Sequence, residues 1–216
     1  MAGKKVTVEV ISDIVCPWCW VGKRAIEAGA AKAGVELELH WKPFQLNPHS
    51  PVEGEDKMEA YIRKFGPDAK RFLLDQNNHL YTRGREVGAN MRYVEGSKVF
   101  NTFPAHHLIH WAEKEHGPKR ANDLHEVLFR KYFNEGLNLG PKDELLKAVK
   151  EVGLPVEDAE KAMEAKKYAD EVNKELRQSH RTCSGVPHFT FPNGHTISGG
   201  QEVDHFAAIL AELADS

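Results

Sequence analysis

The sequence predicts an α/β protein whose small sheet is split in two by a long helical block. Three observations predict it: a strand–helix–strand unit over 6–41, a hairpin followed by an amphipathic helix over 187–213, and helical periodicity over 56–178 between them. The first unit opens with 6–15, which reads as a strand, since 5–11 alternate weakly and are rich in β-branched residues. Cys16-Pro17-Trp18-Cys19 closes that run. A helical stretch from Trp20 to Lys32 follows, with Val21, Ala25, Ile26 and Ala30 at helical spacing and Gly34 as its stop. Val35 to Trp41 alternates cleanly and reads as a second strand. A βαβ unit of this length implies parallel strands and a right-handed crossover.

Pro43 to Pro51 is a loop, interrupted by Pro43, Asn47, Pro48, Ser50 and Pro51. Helices are expected near 56–65, 67–78, 83–89, 98–116, 119–134, 142–152 and 155–178, jointed at Gly66-Pro67, Gly117-Pro118, Gly140-Pro141 and Gly153-Leu154-Pro155. Strand character returns at Pro187 to Pro192 and His195 to Ser198 around Asn193-Gly194, a hairpin signal. A last helix carries Val203, Phe206, Ile209, Leu210 and Leu213 on one face. Residues 1–50 and 181–216 thus form one unit, and 51–180 a helical insertion between the second and third strands. A βαβ unit completed by a ββα unit is the thioredoxin architecture, and it places the insertion near the CxxC end of the sheet.

The chain has 216 residues, 41% hydrophobic and 28% charged, enough for a sizeable core. Its net charge is −3, with both signs interspersed, which argues against nucleic acid or an anionic membrane surface as partner. No apolar stretch approaches spanning length and no secretory signal is visible, so with Met1 as native start a cytoplasmic, reducing compartment is expected. The three cysteines, Cys16, Cys19 and Cys183, are too few for a disulfide framework. A CxxC between a strand and a helix reads as a redox pair. A zinc site would need two more ligands, and there is no second CxxC or CxxH. His106, His107 and His110 include an i,i+4 pair, yet cleft or surface histidines on an amphipathic helix are the simpler reading, and no metal is expected.

Position alone makes Cys16 the nucleophile. It meets the unpaired N–H groups and positive dipole end of the helix, which favour thiolate, the reactive species. Pro17 suits the first helical position, and with Trp18 it would tune thiolate stability. Cys19 lies one turn further in and would resolve a mixed disulfide by attacking Cys16.

The phrase Ser12-Asp13-Ile14-Val15-Cys16-Pro17-Trp18-Cys19-Trp20-Val21-Gly22-Lys23-Arg24 resembles the active-site segment of DsbA-like thioredoxin-fold oxidoreductases of the FrnE type. Trp41 to Pro48, Asn101 to His106 with His110-Trp111-Ala112, Leu128-Phe129 through Gly136, Gly153-Leu154, Gly185 to Phe189 and Ser198 to Gln201 carry the similarity over nearly the whole chain. The resemblance implies a cis bond at Val186-Pro187 facing the CxxC, with the Val186 backbone free to pair with an extended substrate. It also points Asn101 and His106 at the cleft above the CxxC. Trp111, Phe129 and Phe133 read as core. No cofactor is required, with glutathione a candidate co-substrate, and the partner is a thiol or disulfide, protein or small molecule. The buried acid that thioredoxins often carry falls at Val10 here, which leaves Glu9, Asp13, His40, Lys42 or water to take the Cys19 proton. Cys183 stands four residues before Pro187: either a third thiol near Cys16 or a small, partly buried residue without redox role.

Two rival readings share this sequence. One is a glutathione-dependent transferase or isomerase of the kappa or 2-hydroxychromene-2-carboxylate isomerase type, in which serine typically stands where Cys16 does. Gln201, beside Gly200 at a helix N-terminus, would then hold a glutathione carboxylate. The other is a non-enzymatic metal-binding or holdase-like stress protein.

Overall fold

The computed structural model describes residues 4–215. Residues 1–3 and 216, the outer limits of the expected sheet unit, lie outside it. A four-stranded sheet runs in the order β2-β1-β5-β6, formed by β1 (Lys5–Ser12), β2 (Glu36–Pro43), β5 (His188–Thr190) and β6 (Thr196–Ser198). β1 pairs parallel with β2, and β5 pairs antiparallel with both β1 and β6. The crossover helix is α1 (Pro17–Ala33) and the closing helix α10 (Val203–Asp215). This is the thioredoxin arrangement that the two split units predict.

Alternation along β1 separates two faces. Val6, Val8 and Val10 are buried, while Lys5, Thr7 and Glu9 are exposed. The register places Val8 beside Leu39 and Val10 beside Trp41 and Phe189, so these residues share the face covered by α1 and α10, where Phe189 meets Phe206 edge-on at 5.0 Å. Gly29 brings those helices together: a Cβ there would stand 2.9 Å from Phe206 Cβ and 3.0 Å from the Ala207 nitrogen. Burying such faces supplies most of the stability, at roughly 25 cal/mol per Å² of apolar surface.

Between β2 and β5 lie α2 (Lys57–Phe65), α3 (Asp68–Leu74), α4 (His79–Glu86), α5 (Phe103–His116), α6 (Pro118–Phe133), α7 (Lys142–Glu151), α8 (Val156–Glu164) and α9 (Ala169–Thr182). They share the core of the sheet. Trp20 of α1 stacks on Phe129 and Phe133 of α6 at 6.2 and 5.9 Å, and Trp41 of β2 packs on His125 at 4.0 Å. A partly buried charge network ties α1 to α6: Lys23 Nζ lies 3.0 Å from Glu126, which also takes Arg24 and the Trp20 indole N–H. Burial alone would raise the Glu126 carboxyl; Lys23 and Arg24 hold it below the usual range.

The structure corrects several boundaries. The first strand ends at Ser12 rather than 15, because Asp13 to Val15 turn the chain into α1, which begins at Pro17 rather than Trp20. The helix expected over 67–78 is shorter, α3 stopping at Leu74, and the one expected over 83–89 is shifted, α4 starting at His79 on an Asn78 cap that accepts from Tyr81 N. The stretch expected as helix from 98 opens as β4 (Lys98–Val99), which pairs antiparallel with β3 (Glu55–Asp56). Two residues per strand are too few for alternation to show. The single helix expected over 155–178 is two, broken where Lys166 and Tyr168 take φ values of 52° and 69°.

Candidate active site

Cys16 sits at the N-cap of α1 in an extended conformation, its N–H donating to Asp13 O at 3.0 Å and its carbonyl accepting from Cys19 N at 3.1 Å. Pro17 fills the first helical position, as its preset φ favours. The Cys16 thiol donates to the Val186 carbonyl at 3.5 Å. Val186-Pro187 is cis. Gly22 lets this loop come close: a Cβ there would be 3.0 Å from Phe189 Cζ and 3.1 Å from Pro187 Cγ. β1, α1 and the turn before β5 therefore bring Cys16, Val186 and Pro187 together, although 170 residues separate Cys16 from Val186.

The two thiols differ. Cys16 lines a cavity of about 810 Å³ that opens to solvent, whereas Cys19 is 1% exposed and lines none of it. Burial, reinforced by the neighbouring Cys16 sulfur, pushes the Cys19 thiol well above its ordinary value; the Ser12 hydroxyl and the Asp13 backbone pull weakly the other way. Ser12 and Asp13 are fully buried. Asp13 is committed elsewhere: its Oδ2 accepts from Leu46 N at 2.8 Å, and its Oδ1 lies 3.3 Å from His106 Nε2. Of the other proton acceptors left open by the sequence, His40 is engaged by Glu113 and Glu38, while Glu9 and Lys42 line a groove with α9, where Lys42 pairs with Glu175.

The cavity has two walls. Trp18 and Val15 belong to the sheet unit, while Tyr61, Phe65, Phe72, Leu80 and Tyr132 come from the helical insertion. Asn101 and His106, expected in the cleft, line none of it. Asn101 accepts from Gln45 Nε2 and from Phe103 N and donates to the Pro48 carbonyl, fixing the segment after β2 against α5. His106 is buried, with Nε2 2.8 Å from Phe44 O. Gln201 turns its Nε2 onto Ser198 O at 2.9 Å and also stands outside the cavity; Gly200 instead packs on Trp18. Cys183, for which the sequence left open a third thiol or a small residue without redox role, lines a separate recess of about 540 Å³ with Val186 and His188, its thiol directed at Ser179 O and raised by burial. Among the described residues no group of three or more His, Cys, Asp or Glu side chains is gathered to hold a metal. His107 faces the Lys167 carbonyl and His110 sits between Glu171 and Glu175, so the three helix histidines have separate partners.

The sequence leads one to expect the inserted helices as one wall of the cleft, limiting substrate size, but it does not name the residues that form that wall. Lys57 and Tyr61 are one turn apart on α2, a spacing visible in the sequence, but nothing local brings Tyr132 of α6 against them. Lys57 is 4% exposed, its ammonium 4.4 Å from the Tyr132 ring centroid and 5.9 Å from that of Tyr61. Burial pulls it down to about 8. Burial raises Tyr61 too, with Cys16 adding to it, and both residues line the same cavity.

The fold that brings these groups together is one that known proteins share. The DSBA-like thioredoxin domain profile covers residues 7–211. The chain belongs to that family. YwbO of Bacillus subtilis, an uncharacterized protein, is 28% identical over 200 residues, 90% of each chain. The crystal structure of SCO1869, a probable DsbA oxidoreductase from Streptomyces coelicolor, is 26% identical with a TM-score of 0.82, covering 96% of this chain and 89% of that one. The cytosolic disulfide reductase DsbM from Pseudomonas aeruginosa, crystallised with GSH, shares the fold at 18% identity and a TM-score of 0.61, covering 97% and 100%. DsbA-like family members are disulfide oxidoreductases or isomerases, and they need no cofactor. Among the described residues no helix is long and apolar enough to cross a membrane.

Proposed function

We propose that this chain catalyses thiol–disulfide exchange through Cys16 and Cys19. The observation that carries the reading is the unequal access to the two buried cysteines: Cys16 lines an open cavity at a helix N-cap, and Cys19 lines none of it. In the reducing direction the Cys16 thiolate attacks a substrate S–S bond. A Cys16–substrate disulfide forms, and the first substrate thiolate leaves with the electron pair. Cys19, once deprotonated, attacks Cys16 Sγ; the Cys16–Cys19 bond forms and the second substrate thiolate leaves. Two electrons have passed to the substrate, and two protons follow from the protein thiols. Oxidation of a substrate dithiol is the same sequence reversed.

The Val186 carbonyl, which accepts from the Cys16 thiol, is the acceptor that a substrate N–H would take over. Its departure from the thiol frees Cys16 to ionise where the helix N–H groups meet it. Pro17, Trp18 and Pro187 shape this meeting place. Residues 1–50 and 181–216 would supply the chemistry and 51–180 the substrate wall. Glutathione is the proposed small-thiol partner and the cytoplasm the proposed compartment. The similarity to DsbM, a cytosolic disulfide reductase crystallised with GSH, supports the two together.

The test is trapping. In glutathione buffer read by mass spectrometry, Cys19→Ser should accumulate a mixed disulfide at Cys16, and Cys16→Ser should form none. An isomerase that only binds glutathione would keep its activity in Cys19→Ser and show no adduct.

A further inference from the structure

On the insertion side of the cavity two polar groups lack a hydrogen-bond or ion-pair partner among the described residues, one in the lining and one packed on it. Tyr132 lines the cavity, is 1% exposed, and its hydroxyl has no hydrogen-bond partner among the described residues. A buried hydroxyl without a partner costs about 1–3 kcal/mol, so its persistence asks for a reason. Behind it, the Lys57 ammonium lies over the Tyr132, Phe133 and Tyr61 rings at 4.4, 5.4 and 5.9 Å and has, among the described residues, neither a counter-ion nor a hydrogen bond. Ring faces offset part of the desolvation of a buried cation, but only an anion compensates it fully. Most of the rest of the wall is aromatic or apolar, with Trp18, Tyr61, Phe65 and Phe72, and its charged residues are Glu55, Arg63, Lys64 and Asp68. The cations at the rim are otherwise engaged and exposed. Arg63 pairs with Glu55, and Lys64 reaches Asn47 and the Leu46 carbonyl; solvent and salt screen such groups.

We propose that this end of the cavity is an anion-accepting subsite, and that the group carried on the substrate sulfur is an aromatic ring bearing a carboxylate. The ring lies among Trp18, Tyr61 and Phe65, the carboxylate accepts from Tyr132 Oη, and Lys57 supplies the counter-charge from behind. Tyr132 touches the ligand; Lys57 acts through it as a positioning residue. The claim about the substrate rests on the exchange reading above, while the subsite itself does not.

Two arms separate them. Calorimetry on the Cys16→Ser protein uses 2-naphthoate and its neutral amide as probes. The acid should bind tenfold or more tightly than the amide. Lys57→Met should remove that preference, and Tyr132→Phe should weaken the acid threefold or more. Lys57→Met replaces an unpaired buried charge with an apolar chain of similar length, a change often neutral or stabilising, and its melting curve checks the fold. Equal affinity for acid and amide, binding of neither, or a preference that survives Lys57→Met and disappears in Lys64→Ala overturns the subsite.

The second arm follows reduced wild-type protein with bis(3-carboxyphenyl) disulfide, with its dicarboxamide and with glutathione disulfide. Each turnover converts the protein dithiol to the Cys16–Cys19 disulfide and releases two aryl thiols. The acid should react tenfold or more faster than the amide, and the ratio should fall towards one in Lys57→Met. Reaction with glutathione disulfide but no acid preference refutes the substrate class and leaves exchange standing. No reaction with any of the three refutes exchange, and the calorimetry still decides the subsite.

Discussion

The two sides of Cys16 are built differently. On the sheet side, Val186-Pro187 and the start of α1 offer backbone groups and a close steric fit, with Gly22 seated against Pro187 and Phe189. On the insertion side the thiol shares its cavity with side chains: Tyr61, Phe65 and Phe72, with a Tyr132 hydroxyl and a Lys57 cation that have no hydrogen-bond or ion-pair partner among the described residues. A backbone acceptor such as Val186 O takes any substrate with an N–H to offer, so the sheet side can serve chemistry common to many substrates. An aromatic wall with a fixed charge discriminates, so selectivity belongs to the insertion. The expected responses to mutation divide along the same line.

The largest effect is on the sheet side. Cys16→Ser should abolish disulfide exchange, a loss of a thousandfold or more, without loss of the fold, because a thiolate is the reacting species and a hydroxyl does not replace it. Stopped-flow alkylation of the reduced protein at neutral pH should label Cys16 first, since burial holds Cys19 in its protonated form. Equal labelling of both would erase the division of labour between them.

Next comes the charge behind the insertion wall. Lys57 is depressed from 10.5 to about 8 in the folded chain, so between those values the unfolded chain binds more protons. Its penalty is therefore complete below pH 8 and disappears as pH rises to 10.5, and stability rises with pH over that window. The difference in unfolding free energy between wild type and Lys57→Met, followed by urea denaturation from pH 7 to 10.5, should change by about 3 kcal/mol for a shift of this size. Taking the difference removes the other groups that titrate in the same range. A flat difference curve would mean that Lys57 is solvated.

A smaller loss is expected at Gly22. Gly22→Ala pushes a methyl group against Pro187 and Phe189, and overpacking of this kind costs about 1–3 kcal/mol. Thermal unfolding should show the loss, and exchange should slow as the loop backs away from Cys16. Smallest is Phe65→Ser at the cavity mouth. Phe65 is 61% exposed, so stability should stay within about 0.5 kcal/mol, while turnover of aryl disulfides falls and that of glutathione disulfide holds. A loss on both substrates would put Phe65 in the common chemistry instead.

The same division decided what could be read from the sequence. The sheet side is local: the β-branched run ending at Cys16, Pro17 at a helix start and Asn193-Gly194 between two short strands each declare their element within a few residues. The insertion side is not. The helices show by periodicity, yet the cavity arises where α2, α3 and α6 converge, and no pattern within α6 turns Tyr132 towards Lys57. The resemblance placed Asn101 and His106 in the cleft because it points their helix there. Packing turned both beneath it instead, onto Gln45 and the Pro48 carbonyl and onto Phe44 and Asp13. The breaks at Lys166 and Tyr168 were hidden because neither is glycine or proline, the usual marks of a helix end.

Whether Cys16 and Cys19 work as one redox pair is decided by a single measurement. Equilibration of the wild-type protein and Cys19→Ser in graded glutathione buffers, with each species resolved by mass spectrometry, reads both sulfurs at once. Exchange through the pair predicts a two-electron transition to a Cys16–Cys19 disulfide in the wild type and a Cys16–glutathione adduct that accumulates in Cys19→Ser. A wild-type protein whose two thiols stay reduced across the series, or an adduct that settles on Cys183 instead of Cys16, would contradict it.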